Sequence, residues 1–467
     1  MTGAGLPRRT FLHGLAGVGV AASLPLELNG PQRAVFDVRD YGAQGDDEAL
    51  DTKAIQRAVN EAARERGVVK LPKGRYRSGT VKLRSGIDVI LEAGATLVMS
   101  KNASHFLPRE HLPYVTYSDF ETSDFQNSLL YGEGLHDVII AGEGTIDGAS
   151  DHRYGPKPIA LRRCRDVGVG GITIRNSPNY CVSLGGCDDV KVAGITIRDG
   201  FADGIDPDCC RRVHISGCDI ETDDDAVVLK TSLILGRPRS TEEVVVEDCR
   251  LNSPANGFKI GTETSGDVRR VRVERCRIDG TPRAGADPLG LTTQGESGGI
   301  AIESVDGAIV EDIEISNVNI DNCDVPIFVR LGARGRGQKP VPVPGAIRHV
   351  VMRGLRAADA TDASTISGIP GSPVESLTIE DVTITVVPGT PPPSGPVPEL
   401  EDQYPQAGMF GPLPAHGFYV RHANDVVLRA VHVRVEFAPG SVHLDPRLAL
   451  VADDVTELVA DPPLSAG

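Results

Sequence analysis

Three stretches, "CRDVGVGGITI" (164–174), "CDDVKVAGITI" (187–197) and "CRRVHISGCDI" (210–220), each begin 23 residues after the one before. They share the pattern V-x-[VI]-x-x-[IC]-x-I, two short runs of alternating β-branched residues around a small bend. The pattern returns less regularly as "VVVEDCRL" (244–251), "VRVERCRI" (271–278), "IEISNVNI" (313–320), "LTIEDVTI" (377–384) and "VVLRAVHV" (426–433). A period in the twenties with β-branched residues in register is the mark of a β-solenoid, in which each coil buries its apolar face by stacking on the next. A leucine-rich solenoid has a similar period, but its asparagine and leucine consensus is missing here. Alternation and β-branched enrichment favour strands in every coil.

Equivalent positions of a solenoid stack along its axis. Cys164, Cys187 and Cys210, and likewise Cys218, Cys249 and Cys276, therefore fall into two buried ladders of small apolar side chains. No C-x-x-C pair offers a metal site, and the odd total of nine leaves at least one thiol free. Solenoid ends need caps. "DTKAIQRAVNEAARERG" (51–67) supplies one: Ile55, Ala58, Val59 and Ala62 share a helical face, Asp51 or Thr52 can serve as N-cap, and Gly67 follows the end. The far end is expected to be closed by the segment after residue 426 and the proline-rich tail.

The 467 residues include 53 Gly and 33 Pro, an enrichment that without collagen periodicity points to many turns. Tryptophan is absent and aromatics make up 4%, so the core must rest on small and β-branched side chains. A net charge of −16 speaks against a nucleic-acid partner, which would need clustered Lys and Arg. "LPRRTFLHGLAGVGVAASLPL" (6–26) pairs Arg8 with Arg9 ahead of a small-residue apolar stretch. It reads as a twin-arginine signal peptide within residues 1–30, about 25–30 of which would be removed on export to the periplasm or medium. It is too short and Gly-rich for a membrane span, and no later run is long enough for one.

Residues 31–467 are expected to form a single domain, a monomer. Two stretches interrupt its repeat: the basic 331–346 and the proline-rich 386–415, which carries Tyr404, Met409 and Phe410. The repeat resumes after each, so both are insertions within one domain, of a length that often walls a binding cleft.

The stretch 204–230 is unusual for such a chain, because it gathers Asp206, Asp208, Asp219, Asp223, Asp224 and Asp225, and Asp203 precedes it. Asp disfavours strands and neighbouring like charges repel. Asp203 lies 21 and 22 residues before Asp224 and Asp225, near the local period of 23. One carboxylate should therefore sit about 4.8 Å along the axis from a carboxylate pair. Close like charges raise at least one pKa and place a proton donor beside ionised acceptors, as glycosidic bond cleavage requires. A diagonal across two coils can supply the separation of about 6.5–9.5 Å that an inverting hydrolase uses. Turn-capping aspartates and a Ca²⁺ site are the competing readings.

"GEGTIDG" (142–148), "ADGIDPD" (202–208), "TDDDAVVLKTS" (222–232) and "FKIGTETSGDV" (258–268) resemble glycoside hydrolase family 28, the polygalacturonases, as does the entry "DVRDYGAQGDDEALDTKAIQRAV" (37–59). The resemblance runs from about 35 to about 455 and implies an all-β fold, a right-handed parallel β-helix with an N-terminal capping helix. It implies Asp224 as general acid and Asp203 with Asp225 as activators of the attacking water, with no cofactor. Three motifs depart from the family. Asp203 stands in "FAD" rather than Asn-Thr-Asp. The Gly-His-Gly position reads Ala255-Asn256-Gly257, and Asn cannot titrate as His does. The Arg-Ile-Lys position, which the resemblance assigns to gripping a uronate carboxylate, reads Ala301-Ile302-Glu303, and Glu303 would repel one.

Asn256 and Glu303 are candidate sugar-hydroxyl partners. Lys259, Lys230 and Arg330 are candidate replacement cations, and Tyr180, one coil before Asp203, is a candidate stacking platform. The expected function is inverting hydrolysis of a pectic or related plant cell-wall polysaccharide, with a neutral or deoxy sugar beside a uronate rather than plain polygalacturonate. The rivals are a calcium-dependent β-helix lyase and a non-catalytic carbohydrate-binding β-helix.

Overall fold

The computed structural model describes residues 33–282, 297–336, 342–387, 393–436 and 447–464; the expected signal segment lies outside them. Among these residues most coils run through three strands, which merge into longer ones in the last coils, and the strands pair in parallel with their equivalents in neighbouring coils. One face carries Ile205–Asp208 between Val182–Gly185 and Val227–Thr231. A second carries Arg211–Ser216 between Asp188–Ala193 and Thr241–Glu247. The third carries Asp219–Thr222 between Thr196–Gly200 and Arg250–Asn252.

Alternation drives this architecture. Ile174, Ile197, Ile220, Leu251, Ile278 and Ile320 stand in direct register and form one interior column, each at most 1% exposed. Each such side chain contributes roughly 1.5–3 kcal/mol of burial free energy, so Ile220→Asp would break the stack by burying an unpaired charge. All nine cysteines are buried and reduced, and the Cys187 N–H donates to Cys210 Sγ at 3.3 Å, as a ladder requires. Each coil turns into its second face through one left-handed residue: Asp166, Asp189, Arg212, Glu243, Arg270 and Asp312 have φ from 54° to 58°. Asp, which tolerates this conformation better than most residues, takes half of these positions.

The expected helix runs Thr52–Glu65, with Ile55, Ala58, Val59 and Ala62 at most 1% exposed. Asp51 occupies its N-cap position, but its carboxylate accepts the Gln44 and Gly45 N–H groups instead of capping the helix. The far end differs from expectation. Residues after 426 complete the strand Ala415–Val435, and Leu448–Asp461 then adds a further coil with Leu448 and Val459 exposed, so the described residues extend that end rather than close it.

The first face positions the site. Its strands run Lys157–Arg162, Val182–Gly185, Ile205–Asp208, Val227–Thr231, Asn256–Thr264, Gly298–Ser304, Val325–Leu331 and Ser364–Ser367. The proline-rich insertion enters at one edge of this sheet and the basic one leaves from the other.

Candidate active site

Asp203 lies in the turn leading into Ile205–Asp208, and Asp224 and Asp225 lie in the equivalent turn one coil on. Backbone bonds hold each turn in register with the coil before it: Gly204 N–H donates to the Asp225 carbonyl at 2.9 Å, and Cys181 N–H to the Asp203 carbonyl at 3.0 Å. Thr222 and Ser253 hydroxyls both donate to the Asp224 carbonyl at 2.7 Å. One oxygen from each of the three carboxylates lies within 4.8 Å of the others. The stacking read from the repeat is present. The wider separation expected from the diagonal is not seen in these closest approaches.

Each aspartate has its own cation. Lys230 Nζ lies 2.8 Å from Asp203 Oδ2 and 3.0 Å from Asp206 Oδ1. Lys259 Nζ lies 3.2 Å from Asp225 Oδ2, and Asn256 Nδ2 donates to Asp225 Oδ1 at 2.7 Å. Arg153 Nη1 lies 2.7 Å from Asp224 Oδ2, while the rest of its guanidinium forks onto Glu121. Burial pushes Asp203 well above the usual carboxylate range against the pull of Lys230, and it raises Asp225 against Lys259. At Asp224 burial pushes upward too, but Arg153, Lys259 and Lys230 outweigh it and hold this carboxyl below its ordinary value. Five carboxyl groups (Asp203, Asp206, Asp224, Asp225, Glu121) thus face three cations (Arg153, Lys230, Lys259). An excess of acid over base in a buried cluster is what retains a proton for transfer.

Sequence reasoning missed Arg153 and Glu121. They sit in segments 148–156 and 107–125, outside the repeat, where no periodicity marks them. Three candidate binding residues are placed differently from expectation. Tyr180 is 5% exposed, with Lys230 Nζ 4.2 Å from its ring centroid, so its face is covered rather than open to a sugar. Lys230 is 4% exposed and engaged by two aspartates. Arg330 is 1% exposed, and its guanidinium donates to Ser367, Gly368, Glu399 and Leu400, which makes it the anchor of the proline-rich insertion. Arg334 likewise turns to Asp306 and the Thr262 carbonyl.

Lys259 pairs in register with Ala301, and Glu303 with Arg330. Glu303 is 1% exposed, accepts from Thr262 Oγ1 at 3.2 Å and is pushed up to about 7 by burial against the pull of Lys259. It lies over Gly261, whose φ of +120° and position 2.7 Å from Glu303 Oε2 (measured from the place a Cβ would take) leave room only for glycine. Tyr404, from the insertion, is half-exposed, with its Oη 3.1 Å from Thr262 Oγ1. No helix among the described residues is long and apolar enough to cross a membrane.

The family model for glycosyl hydrolases family 28 matches residues 64–394. The chain belongs to that family. Over 375 residues this family 28 protein is 27% identical to a probable polygalacturonase of Vitis vinifera, covering 74% of this chain and 73% of that one. It is 24% identical over 314 residues to an endo-polygalacturonase of Pectobacterium parmentieri, 61% of this chain and 72% of the other. Among solved structures it resembles the hyperthermoactive exopolygalacturonase of Thermotoga maritima, with a TM-score of 0.63 at 22% identity, covering 76% of this chain and 87% of that one. The fold is thus the right-handed parallel β-helix of the polygalacturonases.

The structure also gives a physical reason for one departure from the family pattern. Ala301 is fully buried in a cluster with Phe328 and with Ala407, Phe410 and Leu413 of the insertion. An arginine at 301 would have to displace those side chains. The three aspartates also suit Ca²⁺ poorly, since a fixed cation already lies against each of them and would repel a divalent ion.

Proposed function

We propose that this family 28 protein hydrolyses a glycosidic bond in a pectic or related plant polysaccharide, with inversion at the anomeric carbon and without a metal. The observation that carries this reading is the set Asp203, Asp224 and Asp225, brought within 4.8 Å by two consecutive coils and each held by a separate cation. Asp224, whose side chain is 28% exposed, stands foremost and protonates the leaving oxygen. Asp203 and Asp225, at 2% and 4% exposure, lie deeper and deprotonate the attacking water.

Arg153 keeps Asp224 ionised in the free protein. The acid must therefore take up its proton as substrate enters, when a sugar carboxylate competes for Arg153 and the site loses water. That proton comes from Asp203 or Asp225, whose carboxyls burial raises and which then stand ionised as the bases. A uronate beside the cleaved residue suits that step. Plain polygalacturonate is disfavoured, because Ala301 and Glu303 replace the cations expected there and Lys259 is committed to Asp225. A neutral or deoxy sugar in the central subsite, met by Asn256, follows; Glu303, 1% exposed and bonded to Thr262, is too deeply buried for the sugar contact expected of it.

Inversion rests on the carried-over motif and not on carboxylate spacing, which is shorter here than the usual about 6.5–9.5 Å. Proton NMR of the first product formed from a cleaved pectic oligosaccharide reads it directly. Initial appearance of the opposite anomer supports the reading, and initial appearance of the retained anomer overturns it.

A further inference from the structure

Both ends of the sheet face that bears the aspartates are covered by protein. On the N-terminal side the segment 107–125 crosses from one edge of the sheet to the other. Phe125 packs with Ala160 and Ile234, and Tyr114 Oη donates to the Ile234 carbonyl at 2.8 Å on the far edge. Thr122 Oγ1 lies 3.4 Å from Tyr180 Oη, directly before the Asp203 coil. On the C-terminal side the insertion crosses in the same way. Ala407, Phe410 and Leu413 cover Ala301 and Phe328, Arg330 clamps Glu399 and Leu400, and Ala333 N–H donates to the Glu401 carbonyl at 2.7 Å on the far edge. Tyr404 ends this cover with its ring 6.0 Å from Lys259 Nζ.

The two covers are joined. Arg336, on the far edge, donates to the Tyr117 carbonyl and reaches Glu263 at 3.4 Å. Among the described residues, the face left open spans only the coils of Asp203, Asp225 and Lys259, and it opens on the side of Asp224, the most exposed of the three aspartates.

From this geometry, and resting on the hydrolase reading above, we infer that the site is a blind pocket that accepts one chain end, so that the protein releases a short product from a terminus and does not cut within a polymer. A groove that binds the interior of a chain must be open at both ends. Here the positions that would carry sugars beyond Tyr180 on one side and beyond Lys259 on the other are occupied by Thr122 and by the Tyr404–Phe410 stretch.

The test uses the whole protein on polygalacturonate and on a rhamnogalacturonan backbone, following products and viscosity together. A single short product from the earliest time point, with viscosity near its starting value, is expected. A ladder of oligomers with early loss of viscosity overturns the pocket while leaving hydrolysis intact. If neither polymer is cut, the hydrolase reading fails, and binding decides the pocket independently. An oligosaccharide of each backbone is titrated with both ends free, with the reducing end tagged and with the non-reducing end tagged. Loss of binding on tagging one end alone supports the pocket; binding of all three forms, or of none, overturns it.

Discussion

Arg153 Nη1 and Asp224 Oδ2, 71 residues apart in sequence, stand 2.7 Å apart at the mouth of the site. The arginine enters from a turn that belongs to no repeat and sets the charge of the carboxylate assigned to proton donation. An Arg153→Met variant is expected to raise the Asp224 pKa, read by ¹³C NMR of the aspartate carboxyls. The same change strands Glu121, which burial already raises despite its arginine, and should cost about 3 kcal/mol of stability. Adding Glu121→Gln should recover part of that loss in a thermal melt.

Asp203→Asn, Asp224→Asn and Asp225→Asn should each lower the turnover of a cleavable pectic oligosaccharide by roughly 10²–10⁴-fold. Circular dichroism should show the β-helix unchanged, since backbone bonds hold the two turns.

Lys230 pairs with two buried aspartates, so Lys230→Met leaves Asp203 and Asp206 uncompensated. Denaturant unfolding is expected to show a loss of about 3–5 kcal/mol. A variant as stable as the parent would mean that Lys230 does not hold the pair in solution.

Glu303 has a folded-state pKa of about 7, above its ordinary 4.5. The native state therefore binds a proton that the unfolded chain releases, and this group's contribution falls as pH rises from 4.5 towards 7. Glu303→Gln should remove that slope and gain on the order of 3 kcal/mol above pH 7. Melting temperatures of the two proteins, compared across that range, check it.

The β-helix was legible in the sequence because a solenoid repeats its own constraint. The 23-residue spacing of Cys164, Cys187 and Cys210 carries both coil length and strand register. The Lys259–Ala301 column and the stacking of Asp203 on Asp225 followed from it. The cover of the site did not follow. Arg153 reaches Asp224, Glu121 holds Arg153 and Thr122 meets Tyr180 from segments without periodicity, and only tertiary folding decides where such segments land. Arg330 shows the same limit: strand alternation turns it towards the cleft face, but Ser367, Gly368 and the insertion that lies over it engage its guanidinium. Tyr180 was placed on the right coil, yet the ammonium of Lys230 covers the ring that a sugar would need.

Product analysis on a panel of pectic oligosaccharides, with and without chelator, for the parent protein and Asp224→Asn, bears most directly on metal-free hydrolysis by the aspartates. New reducing ends that survive chelation and vanish in the variant are expected. Unsaturated products that disappear with chelator would contradict it, because they would make the aspartates calcium ligands of a lyase.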